Sequence, residues 1–250
     1  MPANEVIVLV GVTFLIAGIV KGVSGFGLPV IAVSLLAATV GLKTAVAVIV
    51  VPCLVTNLWQ AFSGDAFVAL LKRLWMLFLG AAIGIWFGVG VLAAADALML
   101  TSILGCILVL YAVLGLVRAE LAKPPAAWEP WLTPVIGATG GLMFGMVGNF
   151  MVPGVLYIQA LGLPRDRFVQ ALGMTFIVIT AVLAVSLSSH ALMPMETAML
   201  SAAALLPTVV GMLIGRRVRG LLTEAQFRNF VFIVIGVAGI YMVVRSYFSS

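Results

Sequence analysis

Charged residues are scarce in this sequence. They make up 8% of its 250 residues, whereas hydrophobic residues make up 64%. A soluble domain carries about 25% charged residues, because its water-facing surface needs them. This composition therefore excludes an ordinary soluble protein and predicts an all-α polytopic membrane protein.

Groups that carry acid–base, redox or metal chemistry are also few. The sequence has one histidine, His190, and two cysteines, Cys53 and Cys106, which stand in apolar runs. None of its eight acidic residues lies in the middle of an apolar run. An intramembrane enzyme needs a nucleophile, metal ligands or a carboxylate pair, and ATP-driven transport needs a phosphate-binding loop that is missing here. We therefore predict a protein that is not an enzyme and has no metal and no cofactor. His190 is interpreted as a residue at the membrane interface.

Thirteen basic residues stand at the ends of the apolar runs and do not form one polar face. This placement argues against a nucleic-acid partner and fits the excess of Lys and Arg on cytoplasmic loops. If residues 118–131 are cytoplasmic, two basic residues, Lys43 and Arg245, fall outside, nine fall inside, and Lys21 and Arg228 lie near the membrane edges. The nine are Lys72, Arg73, Arg118, Lys123, Arg165, Arg167, Arg216, Arg217 and Arg219. Both termini are then predicted on the non-cytoplasmic side of the cell (inner) membrane.

Ten apolar runs fill most of the chain, and they predict eight to ten membrane segments. Three runs in each half have the length of about 20 residues that spans a bilayer. The first two runs of each half are short, so they form either a re-entrant hairpin or two tilted crossings. The ten runs are Val6–Val20, Leu28–Val40, Thr44–Phe62, Leu74–Ala95, Ala97–Val117, Leu132–Val147, Pro153–Gly162, Phe168–Ser189, Thr197–Gly215 and Gln226–Tyr247.

The two halves resemble each other. We predict a first membrane repeat at 1–117, a cytoplasmic linker at 118–131 and a second membrane repeat at 132–250. Gly84 and Gly88 recur as Gly211 and Gly215, each 127 positions later. Corresponding loops of the two halves have opposite charge character. The loop with Lys72 and Arg73 corresponds to residues 188–196, which include no Lys or Arg. The repeats are therefore predicted to be inverted, a common plan among secondary transporters.

Each half also contains a break in an apolar region. The first is Ser24–Pro29 and the second is Gly148–Pro153, and their Phe and Pro residues are both 124 positions apart. Glycine and proline interrupt helices, and such breaks survive inside a bilayer only where protein or water covers the freed backbone groups. Paired breaks in two halves indicate the binding site of a transporter. The alternative is that they only allow close helix crossing.

In these breaks and in its helix layout, the chain resembles the TauE/SafE family of sulfite exporters and sulfonate permeases. The resemblance extends from about Val6 to Tyr247. It implies the transport of sulfite, sulfoacetate or other organosulfonates. The second break carries Asn149 and Met151 in the positions of Gly25 and Gly27, a departure that bears on the substrate more than on the fold.

The breaks predict an anion site, because a helix N-terminus presents free N–H groups and a partial positive charge. New helices are expected to begin at about Leu28 and Pro153. Lys21 is either a cation that attracts the substrate or a lysine that reaches the interface. Polar residues inside the apolar runs complete the predicted site. Its residues are Lys21, Ser24, Gly25, Phe26, Gly27, Asn57, Asn149, Phe150, Gln170 and Thr175.

The sequence thus predicts a secondary transporter of a small anion that binds at the paired breaks near the midplane and alternates its access. A channel-like anion pore is the main alternative, and an intramembrane enzyme is a third. The partners are a small anionic substrate and the lipid bilayer, and assembly with identical copies is left open. Coupling to H⁺, to Na⁺ or to no ion is also left open.

Overall fold

The computed structural model of the protein describes residues 3–117, 123–218 and 224–249. Arg118 and Arg219, which entered the topology prediction, lie outside the described residues, as does the side chain of Arg228. Every regular element in the described part is helical. Eight helical spans in this part are long and apolar enough to cross a membrane. The prediction of an all-α polytopic membrane protein is confirmed.

The helices follow the apolar runs closely. They are α1 (Ala3–Ser24), α2 (Leu28–Ala37), α3 (Leu42–Val48), α4 (Val50–Phe62), α5 (Phe67–Ala94), α6 (Ala97–Leu116), α7 (Glu129–Val147), α8 (Leu156–Ala160), α9 (Arg165–Ser189), α10 (Met195–Ala203), α11 (Leu205–Val218) and α12 (Glu224–Ser249), with a π-helical turn, Met151–Val155, before α8. Pairs α3–α4 and α10–α11 each make one span. Lys72 and Arg73, expected in a loop, lie inside α5, because this helix begins at Phe67, seven residues before the apolar run.

The short apolar segments Leu28–Ala37 and Met151–Ala160 have ten residues each. At 1.5 Å per residue, such a helix is about 15 Å long, half of a hydrocarbon core of about 30 Å. Neither segment can therefore cross a membrane by itself. Together with the helix before it, each segment forms a broken helix pair. The first helix of each pair, α1 or α7, is itself long enough to cross a membrane, so the prediction that both members of the pair are short is wrong for the first member.

The chain divides into two compact units, with a boundary between Pro52 and Cys53 in α4. Unit 1 contains α1–α3, α6 and α10–α12, and unit 2 contains the rest of α4, α5 and α7–α9. Each unit thus takes elements from both sequence halves. The repeat boundaries and the inverted orientation of the halves stay predictions.

Glycines join the main helix pair of unit 2. Gly80, Gly84 and Gly88 of α5 face backbone carbonyl oxygens of α7, and a Cβ at any of them would collide with that backbone. Glycines 137, 141 and 145 of α7 face α5 in the same way. Close approach of two backbones through small residues is a common way to pack membrane helices. We call this contact the α5–α7 seam.

Unit 1 contains a matching contact, the α1–α11 seam. Gly18 and Gly22 of α1 face backbone carbonyl oxygens of α11, while Gly211 and Gly215 face those of α1. In both units, the first helix of one sequence half packs against the third span of the other half. The glycines that correspond in the predicted repeats therefore make the same kind of close helix contact in both units.

Candidate functional site

The first break lies in unit 1, where α1 ends at Ser24. Gly25 and Gly27 have φ angles of 86° and 94°, in the left-handed region that suits glycine. Ser24 Oγ lies 2.7 Å from the carbonyl oxygens of Val20 and Phe26, and it accepts from the Phe26 N–H at 3.3 Å. Ser24 therefore holds the bend together and does not extend away from it.

The helix after this break begins at Leu28, as predicted, with Pro29 in its first turn. Proline is suited to that turn, because the first N–H groups of a helix have no partner inside it. Gly27 precedes the helix and its side of the backbone carries no Cβ. The break thus places the N-terminus of α2, with its partial positive charge, directly after a residue without a Cβ.

Lys21 lies one turn before the first break, and the Gly25 N–H donates to its carbonyl oxygen at 2.7 Å. The residue is 3% exposed. A lysine that reaches the interface keeps its ammonium group in water, which does not fit such burial. Lys21 is therefore enclosed by protein, and its role towards the substrate stays a prediction.

The second break lies in unit 2 and has a different shape. Helix α7 ends at Val147, and Gly148 closes it in the left-handed conformation, with φ 69° and its N–H bonded to the Phe144 carbonyl oxygen at 2.9 Å. The π-helical turn Met151–Val155 follows, and Val152 inside it is not helical. Helical conformation resumes after Val152, at Pro153, as predicted, although the regular α-helix begins only at Leu156. The wider turn delays it by three residues.

Asn149 is the most informative residue of this break. It is 1% exposed, and its Oδ1 accepts the Met151 N–H at 2.8 Å. Since a backbone N–H only donates, this contact identifies the oxygen and leaves Nδ2 as the other amide atom. Nδ2 is buried and has no hydrogen-bond partner. A buried polar group without a partner costs about 1–3 kcal/mol, so a donor here indicates a place for an acceptor.

Phe150 lies inside an aromatic cluster with Phe144 and Phe176. The three rings meet edge to face, with centroids 6.1–6.4 Å apart. The Phe150 ring is 1% exposed and fills the space over Gly140 and Gly154, where a Cβ would collide with it. These contacts fix the second break against α7 and α9, so the ring has an anchoring role in unit 2.

Gln170 is buried at the start of α9, and its amide joins two backbone groups around the loop between α4 and α5. Oε1 accepts the Ala66 N–H at 3.1 Å, and Nε2 donates to the Ala61 carbonyl oxygen at 2.9 Å. Gly64 passes so close to this amide that a Cβ would collide with it. Gln170 thus stabilises the loop between α4 and α5, a structural role that the sequence does not reveal.

Thr175 and Asn57 are also buried, at 0% and 2% exposure. The Thr175 hydroxyl donates to the Ala171 carbonyl oxygen at 2.7 Å, and Asn57 Nδ2 donates to the Cys53 carbonyl oxygen at 2.8 Å. Each bond stays within one helix. Thr175 precedes Phe176 in α9, but consecutive helical side chains point about 100° apart, so the Phe150–Phe176 contact does not by itself bring Thr175 to the second break.

Four buried side-chain atoms in the described part lack a hydrogen-bond partner: Asn149 Nδ2, Thr180 Oγ1, Ser186 Oγ and Asn229 Oδ1. Of these four residues, only Asn149 belongs to the site that the sequence predicts. Thr180 is a polar residue within an apolar run, which is a visible signal, but the sequence contains several such residues. No group of three His, Cys, Asp or Glu residues that could hold a metal occurs among the described residues.

The sequence model of one protein family, described as sulfite exporter TauE/SafE, matches residues 10–242. The match covers nearly the whole chain and includes both breaks. A search of curated proteins and a search of solved structures gave no match.

Proposed function

The chain belongs to the sulfite exporter TauE/SafE family, and on that premise we propose that it is a secondary transporter of sulfite or of an organosulfonate such as sulfoacetate. Membership in a transporter family, together with eight apolar spans, makes it a multi-pass membrane transporter and not an enzyme. The choice of anion and the mechanism are the proposed part.

The unpartnered Asn149 amide carries the proposal. A sulfite or sulfonate group presents several oxygen acceptors, and Nδ2 is a buried donor without an acceptor in the protein. Asn149 Oδ1 is occupied by the Met151 N–H, which fixes the amide so that its donor end is the free one. A prearranged donor binds an anion without first having to be ordered.

The first break supports anion binding through different chemistry. It offers the N-terminus of α2 beside glycines without a Cβ, and the buried Lys21 supplies positive charge in the last turn of α1. Both features attract an anion. That the two breaks bind a single anion stays a prediction from the sequence, as do the roles of Ser24 and Phe26.

Transport by alternating access requires parts of the protein to move while others stay together. The two glycine seams bring helix backbones into direct contact, and closely packed contacts resist gradual deformation. We propose that alternating access leaves the α1–α11 and α5–α7 seams intact and changes contacts elsewhere. A channel-like pore would need no such movement.

The proposed location is the cell (inner) membrane, with both termini on the non-cytoplasmic side, because this orientation places most basic residues in the cytoplasm. The partners are the anionic substrate and the bilayer. Assembly with identical copies stays a prediction.

Efflux from proteoliposomes loaded with radiolabelled sulfite or sulfoacetate tests the function. The proposal expects flux that saturates with substrate concentration and is competed by unlabelled anion. The variant Asn149→Asp keeps an oxygen for the Met151 N–H but replaces the free donor by a negative charge, so it should abolish this flux. Flux that rises linearly with concentration would favour the pore, and equal flux in Asn149→Asp would remove the proposed site.

A further inference from the structure

Thr180 lies in the middle part of α9, and its hydroxyl is unusual for this protein. Hydroxyl groups in membrane helices commonly donate to the carbonyl oxygen four residues earlier. Five buried or partly buried examples here do so, including Thr175 to Ala171 and Thr208 to Ala204. Thr180 is 0% exposed, yet its Oγ1 has no partner.

The position of Thr180 on α9 indicates which neighbouring elements its side of the helix packs against. It follows Phe176 by four residues, about 40° around the helix axis and one turn along it, and it follows Gly173 by seven residues, about 20° around the axis. The Phe176 ring packs against Phe150 of the second break at 6.1 Å. Gly173 packs against the backbone of Gln60 and Ala61 at the end of α4.

Thr180 therefore belongs to a face of α9 that meets both the second break and α4. The Phe150–Phe176 contact joins the break to this face, and the rise of one turn is about 6 Å. Asn149 is the neighbour of Phe150 in the chain. Two buried donors without partners, the Asn149 amide and the Thr180 hydroxyl, thus occur in one part of unit 2.

We infer that Thr180 is a second substrate-binding residue and that its hydroxyl donates to the same oxyanion as the Asn149 amide. This inference rests on the proposed function and adds a residue to its site. A pyramidal sulfite or sulfonate group has three oxygen atoms and can accept from two separate donors. Hydrogen bonds to charged groups are the stronger kind, so two neutral donors can hold the anion without a buried acid or metal.

The test compares three variants of the full-length protein in detergent. Thr180→Val removes the hydroxyl with little change in shape, Thr180→Ser keeps it, and Thr208→Val is the matched control at an equally buried hydroxyl that is bonded to the Ala204 carbonyl oxygen and lies outside the proposed site. Melting temperatures are measured without anion and in titrations with sulfite and with sulfoacetate, which give a Kd for each.

We expect Thr180→Val to keep or raise the melting temperature without anion, because it removes an unpartnered buried hydroxyl. We expect it to weaken the Kd by about tenfold or more, as loss of a hydrogen bond to a charged group does. Thr180→Ser and Thr208→Val should retain the wild-type Kd within about threefold.

Two other results would contradict the inference in different ways. Wild-type protein that binds both anions, with an unchanged Kd in Thr180→Val, would show that the hydroxyl is only a structural feature, while the proposed function would stand. Wild-type protein that binds neither sulfite nor sulfoacetate would remove the proposed function and this inference with it.

Discussion

Ser201 donates its hydroxyl to the carbonyl oxygen of Val48 at 2.8 Å. In a regular helix this oxygen would accept the N–H of residue 52, but residue 52 is proline and has none. The same Ser201 oxygen accepts the Val51 N–H at 3.0 Å. The buried Ser201 side chain of α10 thus provides hydrogen-bond partners for two backbone groups at the junction of α3 and α4. Lipid could not replace these partners as water could.

Replacing Ser201 by alanine should destabilise the protein by about 1–3 kcal/mol, since it leaves buried backbone groups unpaired. Thermal unfolding in detergent measures the effect. In a Pro52→Ala background the new N–H can bond to Val48, so the same replacement should have a smaller effect there. Equal losses in both backgrounds would contradict this account of the junction.

Replacing Gly84 by alanine should disrupt the α5–α7 seam, because the added Cβ would run into the backbone at Ala138. Overpacking of this kind costs about 1–3 kcal/mol or more. Gly11 of α1 is the matched control, since a Cβ there meets nothing within 4 Å. Melting temperature should fall in Gly84→Ala and stay or rise in Gly11→Ala. A fall of equal size in both variants would mean that helix glycines act through something other than close packing.

Two replacements of Asn149 separate its structural bond from its proposed role. Asn149→Leu removes both ends of the amide, so it should lower the melting temperature and abolish anion binding. Asn149→Asp keeps the acceptor for the Met151 N–H, so it should retain more of the stability while also losing sulfite binding. Titrated melting curves report both quantities. Sulfite stabilisation that persists in either variant would exclude Asn149 from the site.

Gln170→Leu should chiefly affect stability. It leaves the Ala66 N–H and the Ala61 carbonyl oxygen without their partner, a loss of about 1–3 kcal/mol. The Kd for sulfite, measured on the folded fraction, should remain within about threefold of wild type. A much weaker Kd at unchanged melting temperature would instead support the substrate-binding role that the sequence predicts for this residue.

The predicted membrane orientation can be tested by labelling with a membrane-impermeant maleimide in intact cells. Cys53 and Cys106 are first replaced by alanine, and single cysteines are then introduced at Ser249 or at Lys123. Labelling at position 249 with protection at 123 would agree with non-cytoplasmic termini. The reverse pattern would show that the C-terminus is cytoplasmic and would contradict the predicted orientation.

The sequence predicted the membrane helices well because long apolar runs and Gly–Pro breaks are local signals. It placed the start of α2 correctly. It missed the π-helical turn at Met151–Val155, since this turn has no periodicity that a pattern of residues could display. It also read Lys72 and Arg73 as loop residues because charge normally ends a membrane run, although a helix can continue past the interface.

Parts of the site depend on contacts that no local pattern encodes. Gln170 bonds to Ala61 and Ala66, more than one hundred residues away in the chain. Phe150 was predicted from its place in the break, but its cluster with Phe176 required the fold. Thr180 and Thr175 are both buried threonines of α9, and only the structure shows that the Thr175 hydroxyl has a carbonyl partner while the Thr180 hydroxyl has none.

The α1–α11 seam has a consequence for synthesis of the protein. Gly18 emerges from the ribosome 190 residues before Thr208, the residue whose backbone it contacts. At about 5–20 residues per second, this delay is roughly 10–40 s. During that interval α1 lies in the bilayer with its glycine face against lipid or an insertion factor. Helix α1 is thus made long before α11, its partner in this seam, and the order of synthesis is not the order of assembly.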